Sequence, residues 1–176
     1  NSGKGMRDPE AKPEAKILVN NPRKAVTKLN IAQDNNQVSI TTDKVQVVFD
    51  KNTSLFKLVN LQTKAVVAEE VEPLSFEKNK TSLTLKENPQ EYFYGGGVQN
   101  GRFSHKGKAI AIENQNSWTD GGVASPTPFY WSSKGYGMMW YTFKKGKYDF
   151  GAKEKGKVSL SHEDSYLDLF LMVNDG

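Results

Sequence analysis

An antiparallel β-sandwich is the fold this sequence predicts, and three observations carry that prediction. Apolar side chains recur at every second residue in one segment after another from Gln37 onward, which is the rhythm of strands with one buried face. No segment sustains a helical stripe over ten or more residues. Turn-forming residues return about every eight to twelve positions, the spacing of an all-β sandwich or barrel.

The elements follow in order. Residues 1–16, with Lys4, Asp8, Pro9, Glu10, Lys12, Pro13 and Glu14, hold almost no apolar side chain and are read as a disordered tail or linker. Residues 17–176 are read as one domain, long enough to bury a sizeable core. It opens with a polar lead-in to about residue 36 that contains an early strand around Ile17 to Val19. Val38 and Ile40 alternate with Ser39 and Thr41, and Val45, Val47 and Phe49 continue the rhythm. Asp50-Lys51-Asn52 supplies a turn before a strand over Leu55 to Asn60. Leu61 to Glu72 is ambiguous, and Ala65 to Glu70 reads as a short helix or a strand. Leu74 and Phe76, then Leu83 and Leu85, restore the strand pattern.

Two later segments are apolar on both faces. In Tyr136 to Phe143, Tyr136, Met138 and Trp140 point one way and Met139, Tyr141 and Phe143 the other. In Tyr166 to Val173, Leu167, Leu169, Leu171 and Val173 oppose Tyr166, Phe170 and Met172. Such strands need cover on both sides. A sandwich covers only the inner one, so the second face calls for a neighbouring domain or a loop folded over it.

Composition narrows the function classes. The chain has no cysteine, which excludes disulfides and thiolate metal sites but not export. No apolar run reaches the length of a membrane span. The net charge of +4 owes much to Lys144, Lys145, Lys147, Lys153, Lys155 and Lys157. Their interleaving with glycines reads as a solvated hairpin and edge strand, and only Tyr148 and Phe150 stand nearby to stack a base. No nucleic-acid partner is expected.

Two stretches suggest chemistry. Tyr92-Phe93-Tyr94-Gly95-Gly96-Gly97-Val98-Gln99 runs an aromatic strand into three glycines. These permit either a structural bend or the close approach of another backbone or a ligand. Asn114-Gln115-Asn116-Ser117-Trp118-Thr119-Asp120 is a polar loop with one tryptophan. Amides and carboxylates hydrogen-bond sugar hydroxyls while an indole covers the apolar face of the ring; the competing reading is an Asx-rich turn that plugs the sandwich end. Glycoside hydrolysis needs two carboxyl groups at a set separation, and only Asp120 lies in a glycine-rich, aromatic setting. Glu113, Asp149, Glu163 and Asp164 read as turn or strand-end charges. His105 and His162 lack a cysteine or clustered carboxylate nearby. No catalytic residue, metal ligand or cofactor is assigned.

The order of these motifs resembles the N-terminal, galactose-mutarotase-like β-sandwich of glycoside hydrolase family 31, a family of α-glucosidases, α-xylosidases and related enzymes. The motifs run from the Tyr92 to Gly97 stretch through Arg102 to Lys108, the Asn114 to Asp120 loop and Pro128-Phe129-Tyr130 to Gly135-Tyr136-Gly137, and the similarity covers roughly residues 35–176. The resemblance implies an accessory domain, inactive alone, preceding a (β/α)₈ barrel that carries a retaining catalytic pair and is absent from this chain. It implies an α-linked saccharide as the parent enzyme's ligand and an extracellular or cell-surface bacterial setting. The loop before Pro128 would reach the sugar pocket, with Asn114, Asn116, Trp118 and Asp120 as the substrate-binding candidates. An independent carbohydrate-binding module is the alternative reading, and a small mutarotase-like enzyme a third.

Overall fold

The structure is a computed structural model that describes residues 28–101, 103–115 and 122–174. The tail assigned to residues 1–16 and the early strand at Ile17 to Val19 lie outside the described residues. Among those described no residue is helical, and thirteen strands appear. In chain order they are β1 (Asn30–Gln33), β2 (Gln37–Thr41), β3 (Val45–Asp50), β4 (Leu55–Asn60), β5 (Val66–Glu77), β6 (Lys80–Lys86) and β7 (Phe93–Gln99), followed by β8 (Ala109–Ile112), β9 (Val123–Ser132), β10 (Tyr136–Trp140), β11 (Gly146–Phe150), β12 (Lys157–His162) and β13 (Leu169–Val173). They form a nine-stranded sheet in the order β1-β2-β3-β4-β5-β6-β12-β11-β8 and a four-stranded sheet in the order β13-β10-β9-β7. Every pairing is antiparallel.

Local chemistry fixes the first meander. The Asp34 carboxylate accepts the Asn36 and Gln37 amides, and Asp50 accepts those of Asn52 and Thr53. These Asx turns fold β2 back on β1 and β4 back on β3. The Asn60 side chain does the same for Gln62 and Thr63 before β5. The helix considered for Ala65 to Glu70 is corrected to the first half of β5. Ala68 pairs with Leu58, and Val66 and Val67 suit a pleated, half-buried surface better than a helix. Pairing with a strand already in place outweighs the local preference of an Ala-Glu-rich stretch.

The core lies between the sheets around Tyr130. Its ring meets Phe93, Tyr136, Tyr148 and Phe150 edge-on at centroid distances of 5.3–6.1 Å, and Phe93 stacks on Phe150 at 4.8 Å. Leu58, Leu83, Leu85, Val158 and Leu160 complete it from the large sheet. Such ring pairs add about 0.5–1.5 kcal/mol each beyond area burial.

Gly95 and Gly97 resolve in favour of close backbone packing, while Gly96 makes room for the Ile110 side chain. All have positive φ, and a Cβ on Gly97 would lie 1.9 Å from the Ser125 carbonyl, one on Gly95 2.8 Å from that of Phe129. β7 and β9 can lie this close only without side chains there.

Two further expectations change. The lysine-rich segment is a hairpin, β11 to β12, but β8 rather than β11 forms the sheet edge. β10 stops at Trp140, because the Tyr141 amide turns to the Asp168 carbonyl and the Thr142 amide folds back onto that of Trp140. Phe143 therefore leaves the sheet and stands 51% exposed in the connector.

Candidate functional site

Asn114 is the one predicted substrate-binding residue within the described structure; Asn116, Trp118 and Asp120 lie outside the described residues. Asn114 follows β8 directly and is exposed. Beyond the loop, the Asn100 amide donates to the Gly122 carbonyl, 3.0 Å. Asn114 lines a cleft of about 380 Å³ together with Glu113, Thr127, Phe143 and Lys145, over a floor that includes Ile112 and Pro128. That volume suits a small ligand.

The wall behind this cleft is held by paired polar groups. The Thr142 hydroxyl donates to Asp164 Oδ2 at 2.9 Å and accepts the Lys144 amide at 3.1 Å. Lys145 pairs with Glu163 at 3.2 Å. His162, buried beneath, meets the Lys144 carbonyl through Nδ1 at 2.9 Å and the Tyr148 hydroxyl through Nε2 at 3.0 Å. A carbonyl can only accept, so Nδ1 carries the proton and Nε2 accepts from the phenol. Burial, opposed by the Lys144 carbonyl and Asp164, holds the imidazole below its usual pKa.

Neither histidine reads as a ligand or a base. His105 is buried, donates from Nε2 to the Gly95 carbonyl and stacks on Phe150. Among the described residues no group of three His, Cys, Asp or Glu side chains is placed to hold a metal. Asp149 accepts the Ala152 and Lys153 amides, and Glu163 and Asp164 are engaged as above, which fits turn and strand-end charges. Sequence reasoning missed Phe143 as a cleft residue. The only signal was Thr142 as a turn former inside an aromatic run.

A second surface stands out on the outer face of the four-stranded sheet. Tyr94 stacks on Trp131 at 4.3 Å, and Phe103 meets Tyr94 edge-on at 5.7 Å. Trp131 is 46% and Met172 41% exposed, and between them lies a groove of about 250 Å³ floored by Phe129 and Gly137. The face that called for cover in the sequence is thus partly closed by Phe170 against Tyr141, 6.0 Å apart, and partly open.

Solved structures resemble this arrangement. A GH31 dextranase from Flavobacterium johnsoniae, solved as a D412A mutant with isomaltotriose, superposes with TM-score 0.74 at 15% identity over 84% of this chain and 19% of its own. The cycloalternan-forming enzyme of Listeria monocytogenes, solved with a pentasaccharide substrate, gives 0.75 at 16% over 83% and 15%. A GH31 α-xylosidase from a soil metagenome, solved with xylose, gives 0.74 at 19% over 96% and 27%. The chain thus spans between 15% and 27% of the length of these three proteins. No curated protein sequence matches it. Residues 4–149 match the sequence profile of the glycosyl hydrolase 31 N-terminal galactose mutarotase-like domain. With a match over most of the chain and a two-sheet fold shared with GH31 enzymes, this protein belongs to that domain family.

Proposed function

We propose that this chain is the N-terminal accessory domain of a longer retaining α-glycoside hydrolase. It packs on a catalytic (β/α)₈ barrel in the same polypeptide and lends the loop that begins at Asn114 to the sugar pocket. The observation that carries this reading is the outer face of the four-stranded sheet. Its inner face already closes the core, yet Trp131 and Met172 remain about half exposed on the other side. Sheets in single sandwiches rarely leave aromatic stacks open to water unless a partner covers them. Asn114, with Asn116, Trp118 and Asp120, supplies groups that match an α-linked saccharide, and Phe143 and Glu113 extend the same chemistry along the cleft.

The test is reassembly. The remainder of the polypeptide, expressed separately, is expected to be captured by this chain and to gain turnover of α-linked glucosides. Trp131→Asp combined with Met172→Asp should abolish capture, while Asn114→Ala should leave capture intact and raise KM. Robust glycoside turnover by this chain alone, or a reading frame without any catalytic unit, overturns the proposal.

A second reading, an independent carbohydrate-binding module, draws on the Tyr94–Trp131 stack, since exposed ring faces suit pyranose stacking. Calorimetry separates the two. A free-standing module binds glycans measurably, whereas part of a pocket binds too weakly to detect.

A further inference from the structure

β5 changes partners midway. It pairs with β4 as far as Glu69 and with β6 from Glu70 onward, and the register slips on either side of Glu72. The last β4 pair is Lys57 with Glu69, which leaves the Phe56 N–H beyond the end of the ladder. That amide donates instead to Glu70 Oε2 at 2.7 Å. A side-chain carboxyl thus takes the place of a backbone carbonyl where the strand switches neighbours.

The other oxygen, Glu70 Oε1, is buried and has no partner. Glu70 is 5% exposed and lies across from Leu85, which is fully buried, so it faces the core. The charged groups around it are engaged elsewhere. On β5, Glu69 pairs with Lys86 of β6 and Glu72 with Lys157 of β12, each at 2.7 Å. On β3, Asp50 is held by the Asn52 and Thr53 amides, with Lys57 of β4 acting on it. Among the described residues no cation offsets a charge on Glu70. A buried carboxylate with one hydrogen bond is costly, and a buried neutral acid is much less so.

We propose that Glu70 is a proton-operated latch: as the neutral acid it closes the β4–β5 changeover, and as the carboxylate it leaves an uncompensated charge that loosens it. Burial pushes the carboxyl up to about 7, against the lowering effect of the Phe56 amide. Because this is raised above the unfolded value of 4.5, the latch's contribution is fully present below about pH 4.5. It is lost as pH rises toward 7, so the changeover is tight in mildly acidic surroundings and loose in alkaline ones.

The experiment compares the whole chain with Glu70→Gln, a neutral isostere, in urea unfolding at pH 5.5 and pH 8. The ratio of wild-type to E70Q unfolding constants is expected to rise about tenfold between the two pH values. Other titrating groups are common to both proteins and cancel. Exchange of the Phe56 amide, corrected for intrinsic pH dependence, should accelerate with pH in the wild type and not in E70Q. Titrating the Glu70 carboxyl carbon by NMR requires no variant, and a midpoint near neutrality supports the latch. Parallel unfolding profiles, or a midpoint near 4.5, overturn it.

Discussion

 

Glu91 and Glu70 are both buried carboxyls of this domain, yet one is surrounded by donors and the other is nearly without them. The difference between Glu91 and Glu70 lies in their hydrogen-bond partners. Both are nearly or fully buried. Glu91 sits in the strap before β7, where Oε1 accepts the Ser132 hydroxyl and Oε2 accepts both the backbone and side-chain amides of Asn88. Glu70 has the Phe56 amide alone. Burial by itself therefore does not decide what a carboxyl does in this core; the number of donors aimed at it does.

The largest expected effect comes from breaking the well-partnered site. Glu91→Ala leaves the buried Ser132 hydroxyl and the Asn88 amides without their acceptor, and should cost about 3 kcal/mol in urea unfolding. Glu70→Ala removes an orphaned oxygen as well as a useful one and should cost much less. Equal losses for the two variants would erase the contrast.

Next is Lys106, which fastens the strap from outside. Its ammonium donates to Glu87 Oε1 at 2.8 Å and to the carbonyls of Asn88 and Glu91 at 3.1 and 2.8 Å. Lys106→Met keeps the stem and removes the charge, and about 1–2 kcal/mol should be lost. If the Lys106→Met protein unfolds at the wild-type midpoint, the strap owes its order to Glu91 alone.

Much of the fold was legible in the sequence because period-two burial is a local signal. β2, β3, β4 and β6 fall where alternation places them. What was not legible depends on distant partners. Asn88-Pro89-Gln90-Glu91 reads as an ordinary polar turn, and nothing in it announces that Ser132, 41 residues on, will bury the carboxylate. Ala65 to Glu70 looked equally helical until β4 claimed it. At the candidate cleft, Asn114 follows β8 where the polar loop of the sequence begins, whereas Phe143 reaches the cleft only because the turn at Thr142 ends β10 early.

The smallest effect concerns pH and sharpens the comparison from a third buried group. His162 has a partner on each nitrogen, and burial favours its neutral ring. Burial holds its pKa below the usual 6.5. The stability it contributes is complete above pH 6.5 and is lost as pH falls toward the folded value, because the unfolded chain takes up the proton first. Glu70 has the opposite sign over an overlapping range. Wild type compared with His162→Gln should therefore lose relative stability below pH 6.5, while wild type compared with Glu70→Gln loses it on the alkaline side. Should both comparisons slope the same way, burial would not be the common cause of the two shifts.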